Sequence, residues 1–314
     1  MADLGAGRVA LHTTWAVVSL GPAEALVLAG DDTPRWCHGM FTNEVKKLAP
    51  GQGNRHAACN DRGQVLGLLD LRRLDATQVL LVLEGWSVAD FLTRYEKFLF
   101  LDDIEPSDLR PTHTLLSAQG PAASEALAAA GLPAPAPGAV TPFGAGWASG
   151  RVRAVGSGVD FLVPTEDAPA LHARLLGAGA TAATALDLDA ARIAAGRPAW
   201  PADANEKSLV HELGIAAALC SFSKGCYVGQ EVLNRVDIKG TIQKRATPLR
   251  FSGAAAPGAA LLLGEDTVGQ VTSVAPAEDG LRGLGLVRRA AWEPGTRLQV
   301  DGGGEAEVLG DAIG

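Results

Sequence analysis

The chain has 314 residues, of which 47% are hydrophobic and 20% are charged, and this length favours two or three folded units rather than one. The composition is typical of a water-soluble globular protein and excludes disorder and a membrane-spanning helix, because no window approaches ~18 consecutive apolar residues. The net charge of −8 argues against general nucleic-acid binding, which needs a positive field, so we expect no direct DNA binding.

The first part of the chain predicts an α+β lobe. Residues 25–29 are predicted to form a buried strand, and Asp31-Asp32-Thr33-Pro34 then supplies capping side chains and a proline for the first turn of a helix. The elements that follow complete an order that resembles a split βαβ unit: strands over residues 56–59, 65–74 and 78–83, a helix over residues 88–99 and a strand over residues 101–105.

A second α+β lobe and a small β-barrel are predicted after it. The proline-alanine segment 132–138 suits only a surface connection, and the short apolar strands from residue 248 onward are typical of a barrel. We therefore expect an α+β fold with two lobes and a barrel, divided as 1–110, 111–245 and 246–314. The second lobe is predicted from strands at 114–118, 152–155 and 161–163 and helices at 121–130 and 168–176.

The cysteines and the N-terminus indicate the cellular compartment. The N-terminal residues lack the basic and apolar regions of a secretory signal, so we expect a cytoplasmic protein without a membrane contact. In a chain this long, four cysteines are better explained as reduced thiols than as a disulfide framework. No Cys-x-x-Cys pair occurs, so we expect no metal site, although His38 and His56 lie near Cys37 and Cys59 in the sequence.

The octapeptide Lys224-Gly225-Cys226-Tyr227-Val228-Gly229-Gln230-Glu231 carries the strongest chemical signal. Gly225 and Gly229 allow tight turns that would present Cys226, and Lys224 would favour its thiolate form electrostatically. Cys226 and Lys224 are therefore the candidate catalytic pair. The alternative is that the segment is an apolar turn packed under a sheet, and residue chemistry alone does not decide between the two.

The octapeptide matches the signature of the YgfZ family, which includes mitochondrial iron–sulfur assembly relatives. Three further segments resemble elements of that family: residues 41–45 with Thr42 and Asn43, the turn at residues 60–66 with Asn60, and residues 192–198 with Arg192. The resemblance extends from about residue 25 to residue 287.

This family shares its fold with the glycine-cleavage T-protein, an aminomethyltransferase that binds tetrahydrofolate in a central channel. The resemblance therefore implies an aminomethyltransferase-like fold and a tetrahydrofolate site. The residues that it implies as folate-binding are Thr42, Asn43, Asn60, Arg192, Gly225, Tyr227, Gly229, Gln230, Glu231, Arg235 and Arg245.

Two departures separate the chain from the aminomethyltransferases. Gly67 and Leu68 stand where those enzymes have an acidic pair, and Ala194 replaces a glutamate that holds the pterin. The catalytic carboxylate is thus absent, unless Asp70, two residues after Leu68, takes the place of the acidic residue.

Residues 224–250 form a basic segment in an acidic protein, with six basic and two acidic side chains and a net charge of +4. Its side chains, Arg235 and Arg245 among them, suit the glutamate carboxylates of a folate. Ordinary solvated surface is the alternative for any single member.

Three functions remain open at this point. The first is a monomeric tetrahydrofolate-binding accessory protein that supports iron–sulfur cluster assembly or repair, and cluster-dependent tRNA modification, through Cys226 and with iron–sulfur client proteins as partners. The second is a folate-dependent aminomethyltransferase or demethylase. The third is a binding module for a cluster enzyme in which folate has no part.

Overall fold

The computed structural model describes residues 5–240 and 242–314. Its helices are α1 Ala6–Thr13, α2 Thr33–Met40, α3 Val88–Leu101, α4 Ala123–Ala129, α5 Ala168–Gly177, α6 Ala185–Ala194, α7 Ala216–Leu219 and α8 Gln230–Lys239. Its strands are β1 Ala16–Pro22, β2 Ala25–Ala29, β3 Gly53–Cys59, β4 Val65–Arg73, β5 Gln78–Glu84, β6 Glu105–Asp108, β7 His113–Gly120, β8 Val140–Phe143, β9 Gly146–Gly150, β10 Ser157–Pro164, β11 Thr181–Ala183, β12 Lys244–Phe251, β13 Ala260–Leu263, β14 Asp266–Ala277, β15 Gly280–Arg288, β16 Arg297–Val300 and β17 Glu305–Val308.

The first lobe is a five-stranded sheet in the order β3-β4-β5-β2-β6, with α2 and α3 on one face. The apolar residues of β5 are all buried because both faces of this strand are covered. Ser87 caps the start of helix α3. Its side chain accepts a hydrogen bond from the backbone N–H of Asp90, and the Asp90 carboxylate accepts one from the backbone N–H of Ser87, so the local sequence fixes where the helix starts. The lobe buries an aromatic group around Trp36, Phe41 and Phe91.

The second lobe has the same chain order of strands and helices, but its sheet has six strands in the order β11-β1-β7-β10-β9-β8, because β1 lies between β7 and β11. Helices α4 and α5 cover its outer face, and its inner face packs on the first sheet through Leu80, Val82, Leu115 and Leu162. The two lobes therefore stack as helices, sheet, sheet, helices.

The predicted α+β fold with two lobes and a terminal barrel is confirmed, and the barrel is closed in the order β12-β15-β14-β13-β16-β17. The expected split βαβ arrangement differs in one respect, because β2 runs antiparallel to both β5 and β6. Residues 152–155, which were predicted to form a strand, lie instead in the connection between β9, which ends at Gly150, and β10, which begins at Ser157.

Two segments lie in a different lobe from the one that the predicted division into 1–110 and 111–245 gives them. Strand β1 lies in the second sheet, paired with β7 and β11, and not in the first lobe. The segment that contains α7, the octapeptide and α8 packs on the first lobe instead of the second, since Tyr227 and Leu233 share one apolar cluster with Ala57 and Val65. The first displacement brings Leu20 of β1 against the apolar cluster between the two sheets.

Candidate functional site

A cavity of about 360 Å³ lies between the two lobes and the segment that follows α6. Apolar side chains form part of its wall, among them Leu20, Leu115, Leu188 and Trp200. The charged side chains that line it are Arg55, Arg151, Arg153, Arg192 and Arg197 with the carboxylates Glu24, Glu84 and Asp189.

Glu84, the last residue of β5, is the centre of the charge network in this cavity. Its carboxylate accepts hydrogen bonds from Arg55 at 3.0 Å, from Arg151 at 2.7 Å and from Arg153 at 3.3 Å. Burial alone would raise the pKa of Glu84, but the three guanidiniums outweigh it and hold that pKa well below its ordinary range. Glu84 is therefore ionised and fully engaged.

Four of the five lining guanidiniums pair with carboxylates, because Asp70, Asp160 and Asp203 add to the carboxylates of the lining. Arg197 donates instead to the carbonyls of Ala154 and Gly314, and burial, together with the neighbouring charges of Arg151 and Arg55, lowers its pKa to about 10. Burial and Arg151 also lower the pKa of Arg55, whose Nε is buried without a hydrogen-bond partner among the described residues. The charge of Arg197 and the free donor of Arg55 suit an anionic group.

The carboxylates of the cavity all have partners. Glu24 accepts a hydrogen bond from the backbone of Val88 at 2.8 Å, and Asp189 pairs with Arg192 at 2.8 Å. Glu84 has both carboxylate oxygens held by arginines, whereas the bonds of Glu24 and Asp189 each use one oxygen.

The acidic pair of the aminomethyltransferases, which the sequence predicted to be absent here, has no room at Gly67. A Cβ on Gly67 would lie 2.5 Å from the ring of Trp86, whose Nε1 donates to the carbonyl of Leu68 at 2.9 Å. Asp70 does not take the place of the pair, because it is buried and its carboxylate pairs with Arg151 at 2.7 Å and Arg72 at 3.5 Å.

Arg192 is the one predicted folate-binding residue that lines the cavity. Its guanidinium donates to Asp189, to the buried carboxylate of Asp203 and, at 3.3 Å, to Ser273 in the barrel. Asp203 in turn accepts from Thr272 and Ser273. The guanidinium of Arg192 therefore connects α6 with the barrel, and the residue also contributes to the cavity lining.

Lys224 connects the octapeptide with the end of α2 and the residues that follow it. Its ammonium is buried and donates to the backbone carbonyls of His38 and Phe41 at 2.6 Å and of Asn43 at 2.7 Å. Burial lowers the pKa of Lys224 to about 8, so the ammonium still predominates at pH 7. All three of its N–H donors are used, which leaves none for the thiolate that the sequence had paired with it.

The octapeptide is folded by contacts with the first lobe. The backbone N–H of Val228 donates to the carbonyl of Gly39 at 3.1 Å. Gly229 has φ +82°, and a Cβ there would lie 2.6 Å from the carbonyl oxygen of Asn60, so only glycine fits. Asn60 itself closes its own turn by accepting from the backbone of Arg62 and Gln64.

Cys226 is exposed, whereas Cys37, Cys59 and Cys220 are buried. Burial raises the pKa of each buried thiol, so these three are poor nucleophiles. The residues of the octapeptide do not line the cavity between the lobes. Trp200 lines the cavity and also belongs to the apolar cluster that contains Tyr227. This cluster therefore connects the cavity wall with the octapeptide.

The remaining predicted residues hold backbone segments together or lie at the surface. Thr42 is buried and donates to the carbonyl of Leu219 at 2.6 Å, and Asn43 donates to the carbonyl of Arg55 at 3.0 Å. Both side chains join the first lobe to its neighbouring segments. Neither lines the cavity.

The basic side chains of residues 224–250 lie at or near the surface, apart from the buried Lys224. Arg235 pairs with Glu231 at 3.0 Å on the exposed side of α8, and the amide of Gln230 approaches the carbonyl of Lys224 only at 3.4 Å. Arg245 pairs with Asp311 at 2.6 Å and lies 4.5 Å over the ring of Trp292. These residues are therefore not brought to the cavity.

The structure adds cavity residues that the sequence reasoning missed. Arg151 and Arg153 are two apart and extend toward the same carboxylate, Glu84, which directly follows an apolar run. The i, i+2 spacing was the available signal. Arg55 and Arg197 gave no signal of their own, because their position depends on how the lobes stack.

Metal-binding clusters and membrane-spanning helices were also sought among the described residues. Within residues 5–240 and 242–314, no group of three or more His, Cys, Asp or Glu side chains is arranged to hold a metal ion. No described helix combines the length and the apolar composition that crossing a membrane demands.

These features define a protein with the aminomethyltransferase fold. The crystal structure of glycine cleavage system aminomethyltransferase T from Bartonella henselae matches with a TM-score of 0.86 and 20% identity, over 98% of this chain and 88% of that one. Residues 243–309 match the family model of the CAF17 C-terminal beta-barrel domain. The predicted aminomethyltransferase-like fold is thus confirmed.

Three proteins of similar sequence are named as transferases. A putative chloroplastic transferase of Arabidopsis thaliana is 24% identical over 299 residues, which is 90% of this chain and 68% of the relative. An aminomethyltransferase of Rubrobacter xylanophilus is 27% identical over 308 residues, 91% of this chain and 78% of the relative. An aminomethyltransferase of Frankia alni is 31% identical over 175 residues, 52% of this chain and 45% of the relative.

Proposed function

We propose that this chain is a tetrahydrofolate-binding accessory protein of the YgfZ type, which supports iron–sulfur cluster assembly or repair through the exposed thiol of Cys226. The observation that carries the proposal is the cavity between the lobes, which combines apolar walls with the guanidinium of Arg197, which pairs with no carboxylate among the described residues, and with a central carboxylate, Glu84, that three arginines hold ionised. Such a cavity has the groups to bind a folate, and its central carboxylate is a weak base.

The lining fits a folate in size and chemistry. A volume of about 360 Å³ lies within the range of small-molecule sites, ~300–1,000 Å³. The apolar side chains of Leu188 and Trp200 suit a flat ring system, and Arg55 and Arg197 suit the carboxylates of the glutamate tail. When bound, tetrahydrofolate supplies a carrier for one-carbon units.

The competing function is a folate-dependent aminomethyltransferase or demethylase, which the names of the Rubrobacter and Frankia relatives favour. Methylene transfer needs a carboxylate beside the reacting atoms. Here Gly67 is packed against Trp86, Asp70 is paired with two arginines and Glu84 with three. These contacts favour a binding function over a transferase.

The role of Cys226 in cluster maintenance rests on three supports. The octapeptide resembles the YgfZ signature, the barrel matches the CAF17 domain, and the thiol is exposed on a loop that Lys224 and Gly229 hold in place. Because Cys226 lies outside the cavity lining, the proposal assigns folate and thiol to separate sites of one protein. Cluster-dependent tRNA modification is part of the same proposal, through the client enzymes.

Calorimetry with tetrahydrofolate under anaerobic conditions tests the folate part. We expect saturable binding, and a ligand at 100 times its Kd should stabilise the fold by about 2.7 kcal/mol. Arg197→Gln should weaken binding at least tenfold because it removes cavity charge, whereas Arg235→Gln, on the exposed face of α8, should not. Equal weakening by both variants would move the ligand to the basic segment, and no binding to the intact chain would refute a folate site.

Complementation tests the cysteine part. Cys226→Ala should fail to restore cluster-enzyme activity under oxidative stress in a strain that lacks its own YgfZ-family protein, while retaining folate binding. A variant that complements fully would remove the thiol from the proposal. Production of methylenetetrahydrofolate from a methylamine donor by the purified chain would instead establish the transferase.

A further inference from the structure

The segment that follows the last strand of the barrel, residues 309–314, reaches the cavity and has no role in the function described so far. Its first residue is fixed to the barrel, because the N–H of Leu309 donates to a carbonyl of β12 at 3.0 Å. Its end lies along the loop after α6, where the N–H of Ile313 donates to the carbonyl of Gly196 at 3.0 Å. Ile313 is half exposed and lines the cavity, whose other lining residues come from positions 20–200. This post-barrel segment therefore supplies a part of the wall that the two lobes do not.

The post-barrel segment bonds to Arg197, the guanidinium of the lining that pairs with no carboxylate among the described residues. The Nη1 of Arg197 donates to the carbonyl of Gly314 at 2.5 Å, and its Nε donates to the carbonyl of the buried Ala154 at 2.6 Å. Its Nη2 makes no hydrogen bond within the described part of the chain. The guanidinium is thus held by two neutral oxygens, one of them from a segment that begins in the barrel.

A ligand carboxylate that bound Arg197 through two hydrogen bonds would need the nitrogen that Gly314 now occupies. Such a bidentate pair uses two neighbouring nitrogens of the guanidinium. Because Nε is bonded to Ala154 in the interior, the pair that remains is Nη1 with Nη2. A carboxylate attracts the guanidinium with a full negative charge, whereas a carbonyl oxygen has only a partial one, so the carboxylate is the stronger partner. Bidentate binding therefore displaces the carbonyl of Gly314.

The contacts that hold the end of the post-barrel segment are few. Residues 309–314 lie outside the helices and strands, so no ladder of backbone hydrogen bonds fixes them. Asp311 pairs with Arg245 at 2.6 Å, but its side chain is 76% exposed, and surface ion pairs add little to stability. Ala312 packs at the edge of the apolar cluster that contains Tyr227 and is only partly buried. The end of the segment is therefore separable from the loop that it covers without unfolding of the barrel.

We propose that residues 311–314 are a gate of the cavity, closed by the bond between Arg197 and the carbonyl of Gly314 and opened by a carboxylate ligand. The ligand carboxylate takes the place of the carbonyl on Arg197, and the end of the segment leaves the loop, which breaks the hydrogen bond between Ile313 and Gly196. The inference rests on the proposed function only in taking the glutamate tail of a folate as the source of the carboxylate.

Hydrogen–deuterium exchange of residues 309–314, followed by mass spectrometry on the full chain, tests the gate. Two carboxylate probes are compared at matched ionic strength: 5-formyltetrahydrofolate, a folate that is stable in air, and glutarate, a dicarboxylate without a ring system. We expect each probe to speed exchange of the Ile313 amide at least tenfold, because the bond of that amide to Gly196 opens. A ligand that only stabilised the closed form would slow this exchange. Glutaramide, the uncharged diamide of glutarate, should leave it unchanged.

An engineered disulfide that holds the gate closed supplies a second measurement. A Cβ on Gly314 would lie 2.7 Å from the Cβ of Ala218, so a shift of about 1 Å gives the Cβ separation of a disulfide, about 3.8 Å. In the double variant Ala218→Cys, Gly314→Cys, calorimetry should show that the oxidised form binds both carboxylate probes at least tenfold more weakly than the form reduced by dithiothreitol. The reduced form is the matched control, because the two forms differ only in the cross-link.

The gate is overturned if 5-formyltetrahydrofolate binds without speeding exchange of the Ile313 amide, or if the oxidised and reduced forms of the double variant bind equally well. If the folate does not bind at all, the folate site of the proposed function fails, and the glutarate result decides the gate: faster exchange supports it and unchanged exchange refutes it. The two failures are therefore distinct. If the disulfide does not form, the exchange measurement decides alone.

Discussion

Replacing Lys224 by methionine separates a structural role for the ammonium from an activating one. Methionine keeps the length of the side chain but donates no hydrogen bonds. The carbonyls of His38, Phe41 and Asn43 would then be left without the donor that now bonds each of them at 2.6 to 2.7 Å. The variant should therefore loosen the contact between the octapeptide and the end of α2.

The magnitude follows from these three contacts. Hydrogen bonds to a charged group contribute about 1.5–3 kcal/mol each, and methionine recovers part of the loss because it needs no desolvation of a charge. Breaking a buried charge network typically costs about 3–5 kcal/mol, and we expect a loss of that size. The entropy of unfolding is about 2.1 cal/mol/K per residue, or about 0.66 kcal/mol/K for 314 residues, so Tm should fall by about 5–8 °C.

Urea unfolding monitored by circular dichroism, together with thermal unfolding, measures the effect. Lys239→Met is the matched control, because Lys239 is the exposed last residue of α8 and its replacement should change stability by less than about 0.5 kcal/mol. If Lys224→Met is as stable as the control while alkylation of Cys226 becomes slower, the ammonium acts on the thiol and the structural reasoning is wrong.

Two other substitutions probe the same region. Gly229→Ala must adopt φ +82° with its Cβ 2.6 Å from the carbonyl of Asn60, so it should cost more than about 2 kcal/mol in urea unfolding; Gly240→Ala, at φ +57° with open space around it, should cost about half as much. His56 is buried, and burial holds its pKa well below 6.5, so the unfolded state binds more protons at acid pH and stability present above pH 6.5 is lost as the pH falls. Between pH 7.5 and 5.5 the loss should be about 1 kcal/mol, and His56→Asn, which retains an acceptor for the backbone N–H of Asn43, should abolish that part of the pH dependence; an unchanged slope would contradict a neutral buried ring.

Local patterns predicted most of the elements. The helix expected over residues 88–99 is Val88–Leu101, and the strand expected over residues 78–83 is Gln78–Glu84. Both carry their own signals, a capping box in one case and an apolar run in the other. Strand β1 could not be placed in this way, because it pairs with residues more than ninety positions away.

The candidate site was harder to predict than the fold. Cys226 is exposed, as its sequence neighbourhood predicted. The cavity, by contrast, combines Arg55, Glu84, Arg151 and Arg197 from four separate segments. Their proximity depends on how two sheets stack, and no local spacing encodes that. For the same reason, the basic residues that stand close together in sequence at Arg235 and Arg245 proved to lie on a surface helix and on the barrel.

The position of β1 separates the order of synthesis from the order of assembly. Ala16 lies between Gln119 of β7 and Thr181 of β11, so this strand meets its first partner only after residue 119 has been synthesised and its second after residue 181. The first sheet, built from residues 25–108, has all its strands before either partner strand of β1 is synthesised. During synthesis, β1 therefore stays unpaired while the sheet of the first lobe already has all its strands. Removing the first 22 residues would take a strand from the sheet of the second lobe, between β7 and β11.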